Sequence, residues 1–156
     1  MSLSIRIATS DDAVTIADFN ARMAMETESK HLDAAIVLKG VTEAIEHPVH
    51  GIYFVAEIDG AIVGQAMITY EWSDWRNGQF WWIQSVYVLE EWRGKKVFTA
   101  LYQRIMDLAK TTPGVCGVRL YVEASNERAQ KTYSNLGMNK TGYEMFEIEI
   151  NEGTEG

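Results

Sequence analysis

Cysteine is nearly absent from this 156-residue chain, where Cys116 stands alone. One thiol excludes an internal disulfide and any metal site built on cysteines, and it fits a reducing, cytoplasmic setting. Cys116 lies between Val115 and Gly117 at the start of an expected strand, where it reads as a small buried apolar residue. Proline is scarce too: Pro48 and Pro113 are the two in the chain, and each marks a break between elements. Cations are in deficit, with 14 Lys and Arg against 22 Asp and Glu, a formal charge of -8. That argues against general nucleic-acid binding, which rests on neutralising phosphates, and it suits a cationic substrate. No run of 18 uncharged apolar residues occurs, so no membrane span is expected. The N-terminus lacks the apolar run of a signal peptide. His31, His47 and His50 do not have metal-ligand spacing, so no metal is expected.

What is present is ordinary for a globular protein: 47% apolar and 23% charged residues, enough for one domain over residues 1–156. Met1–Leu3 and Glu155–Gly156 could be remnants of expression and carry no functional weight. A short strand is expected at Ile5–Ala8. Ser10 or Asp11 can cap a helix to about Met25, with Val14, Ala17, Ala21 and Met25 on one face. A second helix over Asp33–Glu46 stops before Pro48. Asp59-Gly60 between the apolar runs Ile52–Ile58 and Ala61–Glu71 is a hairpin signal. A polar turn at Ser73–Gly78 leads to a long strand, Gln79–Leu89, apolar on both faces and therefore expected in the centre of a covered sheet. Then follow a helix from Gly94 to Thr111, a strand at Val118–Val122, a helix at Glu127–Leu136 and a last strand at Asn139–Ile150. The order β-α-α-β-β-β-α-β-α-β describes an α+β (α/β layered) domain with a mixed sheet.

The link between the long strand and its helix is chemically distinctive. Arg93, Lys95 and Lys96 put three cations into an otherwise acidic chain. They stand where a helix begins, and a helix start offers free backbone N–H groups and a partial positive charge. Gly94 lets the backbone turn sharply and approach a ligand. Such a turn is suited to an anion, a pyrophosphate in particular.

The run Val86-Tyr87-Val88-Leu89-Glu90-Glu91-Trp92-Arg93-Gly94-Lys95-Lys96-Val97-Phe98 resembles the central motif of the GNAT (Gcn5-related N-acetyltransferase) superfamily. That motif is a hydrophobic strand followed by Arg/Gln-x-x-Gly-x-Gly/Ala. The resemblance implies a GNAT-like fold, a central mixed and mostly antiparallel sheet flanked by helices. It implies acetyl-CoA as cosubstrate, held by the strand Val86, Tyr87 and Val88 and by the turn Arg93, Gly94, Lys95, Lys96, Val97 and Phe98. Lys96 and Phe98 stand where the family has glycine and Gly/Ala. A side chain does not remove an amide, and Lys96 could add a phosphate contact. A β-bulge is expected near Val86–Val88, because bulges re-aim backbone groups beside active sites.

Downstream, Asn126, Ala129, Tyr133, Gly137 and Met138 match the family's second signature, Asn-x-x-Ala-x-x-x-Tyr-x-x-x-Gly-Phe/Met. Asn126 is a good N-cap, and Ala129 and Tyr133 share a helical face. The resemblance implies that Asn126 and Ala129 meet the pantetheine region and that Tyr133 protonates the departing thiolate.

The stretch Tyr70–Val88 also resembles the diamine and spermidine/spermine acetyltransferase branch, which often has Glu-Asp where Gln84-Ser85 stand. Gln84 cannot act as a base. Glu71 is the candidate base, acting through water, with Glu26 and Glu28 as alternatives for that role, and Glu26, Glu28, Trp82 and Gln84 are candidate acceptor contacts. The expected reaction is direct attack of a small-molecule primary amine on the thioester. Acetylation of a protein amine, and a noncatalytic acyl-CoA-binding module, remain alternatives. No nucleic acid or membrane partner is expected, and a homodimer is, in line with the family and with the tryptophan-rich hairpin.

Overall fold

The computed structural model of the protein describes residues 2–150; Met1 and residues 151–156, and with them Glu155 and Gly156, lie outside it. The element order is β1 (Leu3–Ile7), α1 (Ala13–Glu28), α2 (Ala34–Glu46), β2 (Ile52–Ile58), β3 (Ala61–Ser73), β4 (Gly78–Val88), α3 (Val97–Thr111), β5 (Val115–Arg119) and α4 (Glu127–Asn135). Short 3-10 turns at Ser10–Asp12 and Glu90–Trp92 precede α1 and α3. Two compact units result, one running to Arg119 and one from Leu120. The first holds the whole sheet and three helices, and the second holds α4.

Asp59 and Gly60 both take left-handed angles, φ 51° and 79°. A two-residue turn of that kind matches the right-handed twist of the strands it joins, and it fixes the β2–β3 register with Ile58 opposite Ala61. The sheet order is β1-β2-β3-β4-β5. The first four strands pair antiparallel, while β4 and β5 run parallel. A parallel pair needs a long crossover, which α3 supplies. The long strand expected at the centre is β4, and it lies second from the edge; β3 takes the central place.

Alternation along the strands divides the core. Tyr53 and Val55 of β2 cluster with Ala13 and Ile16 of α1 and Val41 and Ala44 of α2. Cross-strand partners share a face, so Gln65 and Met67, opposite Val55 and Tyr53, look the same way. Residues between them face α3, whose Val97, Leu101, Tyr102, Ile105 and Ala109 are buried. Gly64 permits that contact: a Cβ there would stand 2.9 Å from Val97 Cγ1.

Four sequence expectations are corrected. The buried face of α1 is Ala13, Ile16, Phe19 and Ala24, while Val14 is 70% exposed. Both sets have helical spacing, and the bulk of Ile16 and Phe19 decides which one turns inward. The fifth strand begins at Val115 rather than Val118, because Gln79 N donates to Gly114 O at 2.8 Å and draws the chain into register directly after Pro113-Gly114. Cys116 is exposed. Residues 139–150 form no strand; their apolar residues alternate, but alternation sets a face and supplies no ladder partner.

Arg6 ties the first strand to its neighbours. Its guanidinium donates to Asp12 Oδ1 and Oδ2 at 2.9 and 2.7 Å and also to Glu57 of β2. Asp12 is buried and further accepts from Thr9 N at 2.7 Å. The Arg6 hydrogen bonds hold its carboxyl below the usual range. Replacing Asp12 with Asn should cost about 1–3 kcal/mol in urea unfolding at neutral pH, because Arg6 loses its buried charged partner. A depressed folded-state pKa stabilises above the unfolded value of about 3.9, and that stability is lost as pH falls through the folded value. The gap between wild type and Asp12→Asn should therefore close below about pH 4. A gap that persisted in acid would place the effect elsewhere.

Candidate active site

The upper half of β4 departs from regular pairing. Gln65 faces Tyr87 and Met67 faces Gln84, so Ala66 stands opposite both Ser85 and Val86. That is a β-bulge, and Ser85 takes φ 51° within it. The bulge adjoins the Val86–Val88 stretch where one was expected. On its other side, β4 pairs with β5 only as far as Trp82 opposite Arg119. Among the described residues, Ile83–Val88 therefore have no strand partner on the edge away from β3. A free edge presents its amide N–H and C=O groups to an extended ligand.

Directly beyond this edge the chain turns into α3. Arg93 Nε donates to Val88 O at 2.9 Å, closing the strand end. Gly94 and Lys96 both lie in the left-handed region, φ 75° and 69°. Lys96 is the N-cap of α3, and no side chain caps the helix. Ala100 is the first residue of α3 to bond back, to Lys96 O at 3.1 Å. The start of α3, from Val97, thus precedes the helix's own hydrogen-bond ladder, in the geometry that receives an anion. Gly94, Lys95 and Lys96 are exposed, with Lys95 Nζ 5.1 Å from the Trp92 ring. Phe98 is half-buried, its ring 6.2 Å from that of Tyr102.

Of the candidate acceptor residues, Glu26 is brought to this turn. Its Oε2 accepts from the Tyr87 hydroxyl at 2.5 Å and its Oε1 from Arg93 at 2.7 Å. Those two donors, Tyr87 first, hold its carboxyl below the usual range. The Tyr87 phenol is pushed up by burial and by Glu26. Arg93 is thereby committed to protein partners instead of projecting freely at a ligand. An open cavity of about 360 Å³ at the end of α1 is bordered by Met25, Glu26, Lys30, His31 and Leu32; no motif marks Lys30, His31 or Leu32. Glu28 is exposed on the same helix end.

Glu71 is placed elsewhere. It sits five residues along β3 from Ala66, about 17 Å at strand rise. Its Oε1 accepts from Arg119 at 2.8 Å and from Trp82 Nε1 at 2.9 Å. Gln84 donates to Thr69 Oγ1. Glu71, Trp82 and Gln84 form a polar row on the α1 face of the sheet, distinct from the turn. Trp72 and Trp75 are exposed at the hairpin tip.

In the second unit, Asn126 Oδ1 accepts from Ala129 N at 3.0 Å, capping α4 as its residue type suggests. Ala129 and Tyr133 are half-buried, and burial pushes the Tyr133 phenol up. The helix ends in a Schellman pattern, with Met138 N on Tyr133 O and Gly137 N on Ser134 O, each at 3.0 Å. The residues of the second motif thus build one capped helix at both ends.

The acetyltransferase (GNAT) family profile matches residues 18–138. This chain belongs to that family. Its members are acetyl-transferring enzymes that use acetyl-CoA. A possible acetyltransferase from Clostridium difficile 630 is 44% identical, with 96% of this chain and 99% of that one covered and a TM-score of 0.88. An N-alpha-acetyltransferase of Sulfurisphaera tokodaii is 35% identical over 91 residues. That match covers 54% of this chain and 54% of the relative, so it spans about half of the latter's length. A predicted acetyltransferase from Clostridium acetobutylicum, solved with acetyl-CoA, shares the fold at 16% identity and a TM-score of 0.77, covering 97% of this chain and 98% of that one. The α+β sheet and flanking helices are those of a GNAT protein.

Within this family Lys96 occupies a glycine position, and its φ of 69° supplies the reason: the turn requires a left-handed residue, and a Cβ there is strained by about 1 kcal/mol. Lys96→Gly should stabilise the fold by up to about 1 kcal/mol in urea unfolding. Lys96→Glu should weaken acetyl-CoA binding by about tenfold at low salt and less at high salt. Equal affinity for acetyl-CoA in both variants and the wild type would mean that Lys96 only serves the turn.

Proposed function

We propose that this chain transfers an acetyl group from acetyl-CoA to the primary amine of a small molecule, by direct attack in a ternary complex. One observation carries the reading. The left-handed, basic start of α3 follows on a strand whose outer edge, among the described residues, has no strand partner beyond Trp82. The first element suits a pyrophosphate and the second suits the amides and thioester carbonyl of a pantetheine arm. Such a site accelerates transfer by holding the amine against the thioester and by stabilising the developing oxyanion.

Neither Glu26 nor Glu71 suits the role of a strong base. Glu26 is stabilised as an anion by Tyr87 and Arg93, which makes it a poor proton acceptor. Glu71 is bonded to Arg119 and Trp82 and lies well along β3. The amine is therefore proposed to shed its proton to water and to attack as the free base. Tyr133 is assigned the proton for the departing thiolate, and burial favours the protonated phenol it needs.

A protein α-amine is the second reading, favoured by the name of the Sulfurisphaera relative. Thiol release from acetyl-CoA, measured with a panel of small amines and of peptides with free N-termini, separates the two. Acetyl-CoA binding with no release for any acceptor would leave an acyl-CoA-binding module instead. Exposed Trp72 and Trp75 support a proposal of self-association, which sedimentation decides.

Tyr133→Phe should lower kcat by about 10- to 100-fold, with acetyl-CoA affinity changed little. Because the phenol's pKa is raised, its loss as a donor should set in only above about pH 10. Turnover unchanged in Tyr133→Phe would remove the residue from the acid role.

A further inference from the structure

The bulge in β4 rests on a polar bridge through one buried side chain that no motif announces. Gln65, on β3, is fully buried. Its Nε2 donates to Asn20 Oδ1 of α1 at 2.8 Å and to the backbone carbonyl of Ser85 at 3.0 Å. Burial pushes the Tyr53 phenol of β2 up, and the neighbouring side chains of Asn20 and Ser85 moderate that push. The bridge Asn20–Gln65–Ser85 thus links α1, β3 and β4.

Its polarity is fixed. A backbone carbonyl can only accept, so the amide end of Gln65 must face Ser85. That orientation leaves Gln65 Oε1 buried with no protein partner. An apolar residue at this place would avoid that cost, since the neighbours on the same face include Val55 and Met67. What the glutamine supplies instead is a substitute ladder bond. Ser85, at φ 51°, is turned out of regular pairing by the bulge, and the Gln65 side chain takes its carbonyl.

We propose that Gln65 and Asn20 are positioning residues for acetyl transfer: their hydrogen-bonded bridge holds the Ser85 bulge and so aims the Val86–Val88 edge at the thioester. The inference rests on the function proposed above. Both residues act through the backbone of β4 and touch no reacting atom.

Gln65→Met keeps the volume and removes both donated bonds. In the ligand-free protein, the backbone amide NMR signals of residues 85–88 should shift. With acetyl-CoA and an accepted amine, kcat should fall by about tenfold or more. Affinity for free CoA, set by the α3 turn, should stay within about threefold. A folded Gln65→Met with unchanged signals and kcat overturns the proposal. So does a loss of kcat that only tracks the folded fraction in thermal unfolding. Should Gln65→Met not fold, Asn20→Ala removes one anchor of the Gln65 amide at a half-buried helix position and should give the same pattern at smaller amplitude; no shift at residues 85–88 then overturns it. The two readings fail separately. A wild type that transfers acetyl to no amine or peptide sinks the proposed function, and the positioning claim with it. An active wild type beside an equally active Gln65→Met sinks the positioning claim alone.

Discussion

One carbonyl organises the chemistry-bearing end of the sheet. The Ser85 C=O is taken by the side chain of Gln65, and the strand shifts by one residue at that point, with Ala66 facing two residues of β4. Everything beyond inherits the shift. Tyr87 is delivered to the α1 face, where its ring lies 5.2 Å from Phe19 and its hydroxyl meets Glu26. Val88 ends the strand with its carbonyl on Arg93, and the chain enters the turn that starts α3. A polar group in a dry core is costly unless bonded, so a buried bridge of this kind is also a demand for one arrangement. Sliding β4 back into regular register would take from Gln65 Nε2 one of its two acceptors.

The second tie is Glu26, which binds the end of α1 to both Tyr87 and Arg93. It gives the cavity at the end of α1 and the turn before α3 a shared wall. Movement of the α1 end would be felt at Arg93, and through Arg93 at the Val88 carbonyl. The family motif identifies Arg93 as a member of the turn; the structure adds that its charge is already matched.

Much of this was legible in the residues. The Asp59-Gly60 hairpin, the β2 strand and the apolar stripe of α3 follow from local rules, because each is decided by neighbours in sequence. The two motifs led to the family, since their spacings encode a turn and a capped helix. The face of α1 was not legible, because its alanines make two stripes equally spaced. Glu71 carried the right chemistry, but the sequence could not show that Arg119, 48 residues away, would engage it. Gln65 left a fainter signal: one amide inside the apolar run Ile62–Ile68. A polar residue where alternation calls for an apolar one is the mark of a buried network, yet its partners Asn20 and Ser85 come from two separate elements and only the fold assembles them.

The pairing of Arg93 with Glu26 bears on how quickly an anionic cosubstrate is captured. With that guanidinium neutralised, the turn keeps the charges of Lys95 and Lys96 and has Glu90 and Glu91 just upstream. The local field is thus close to balanced, within a chain of formal charge -8. A polyanion approaching such a surface gains no long-range steering, and its association rate should rise, not fall, as added salt screens the repulsion. Grip in this site would then come from short-range amides met at contact, which makes residence time, not encounter, the quantity the fold controls.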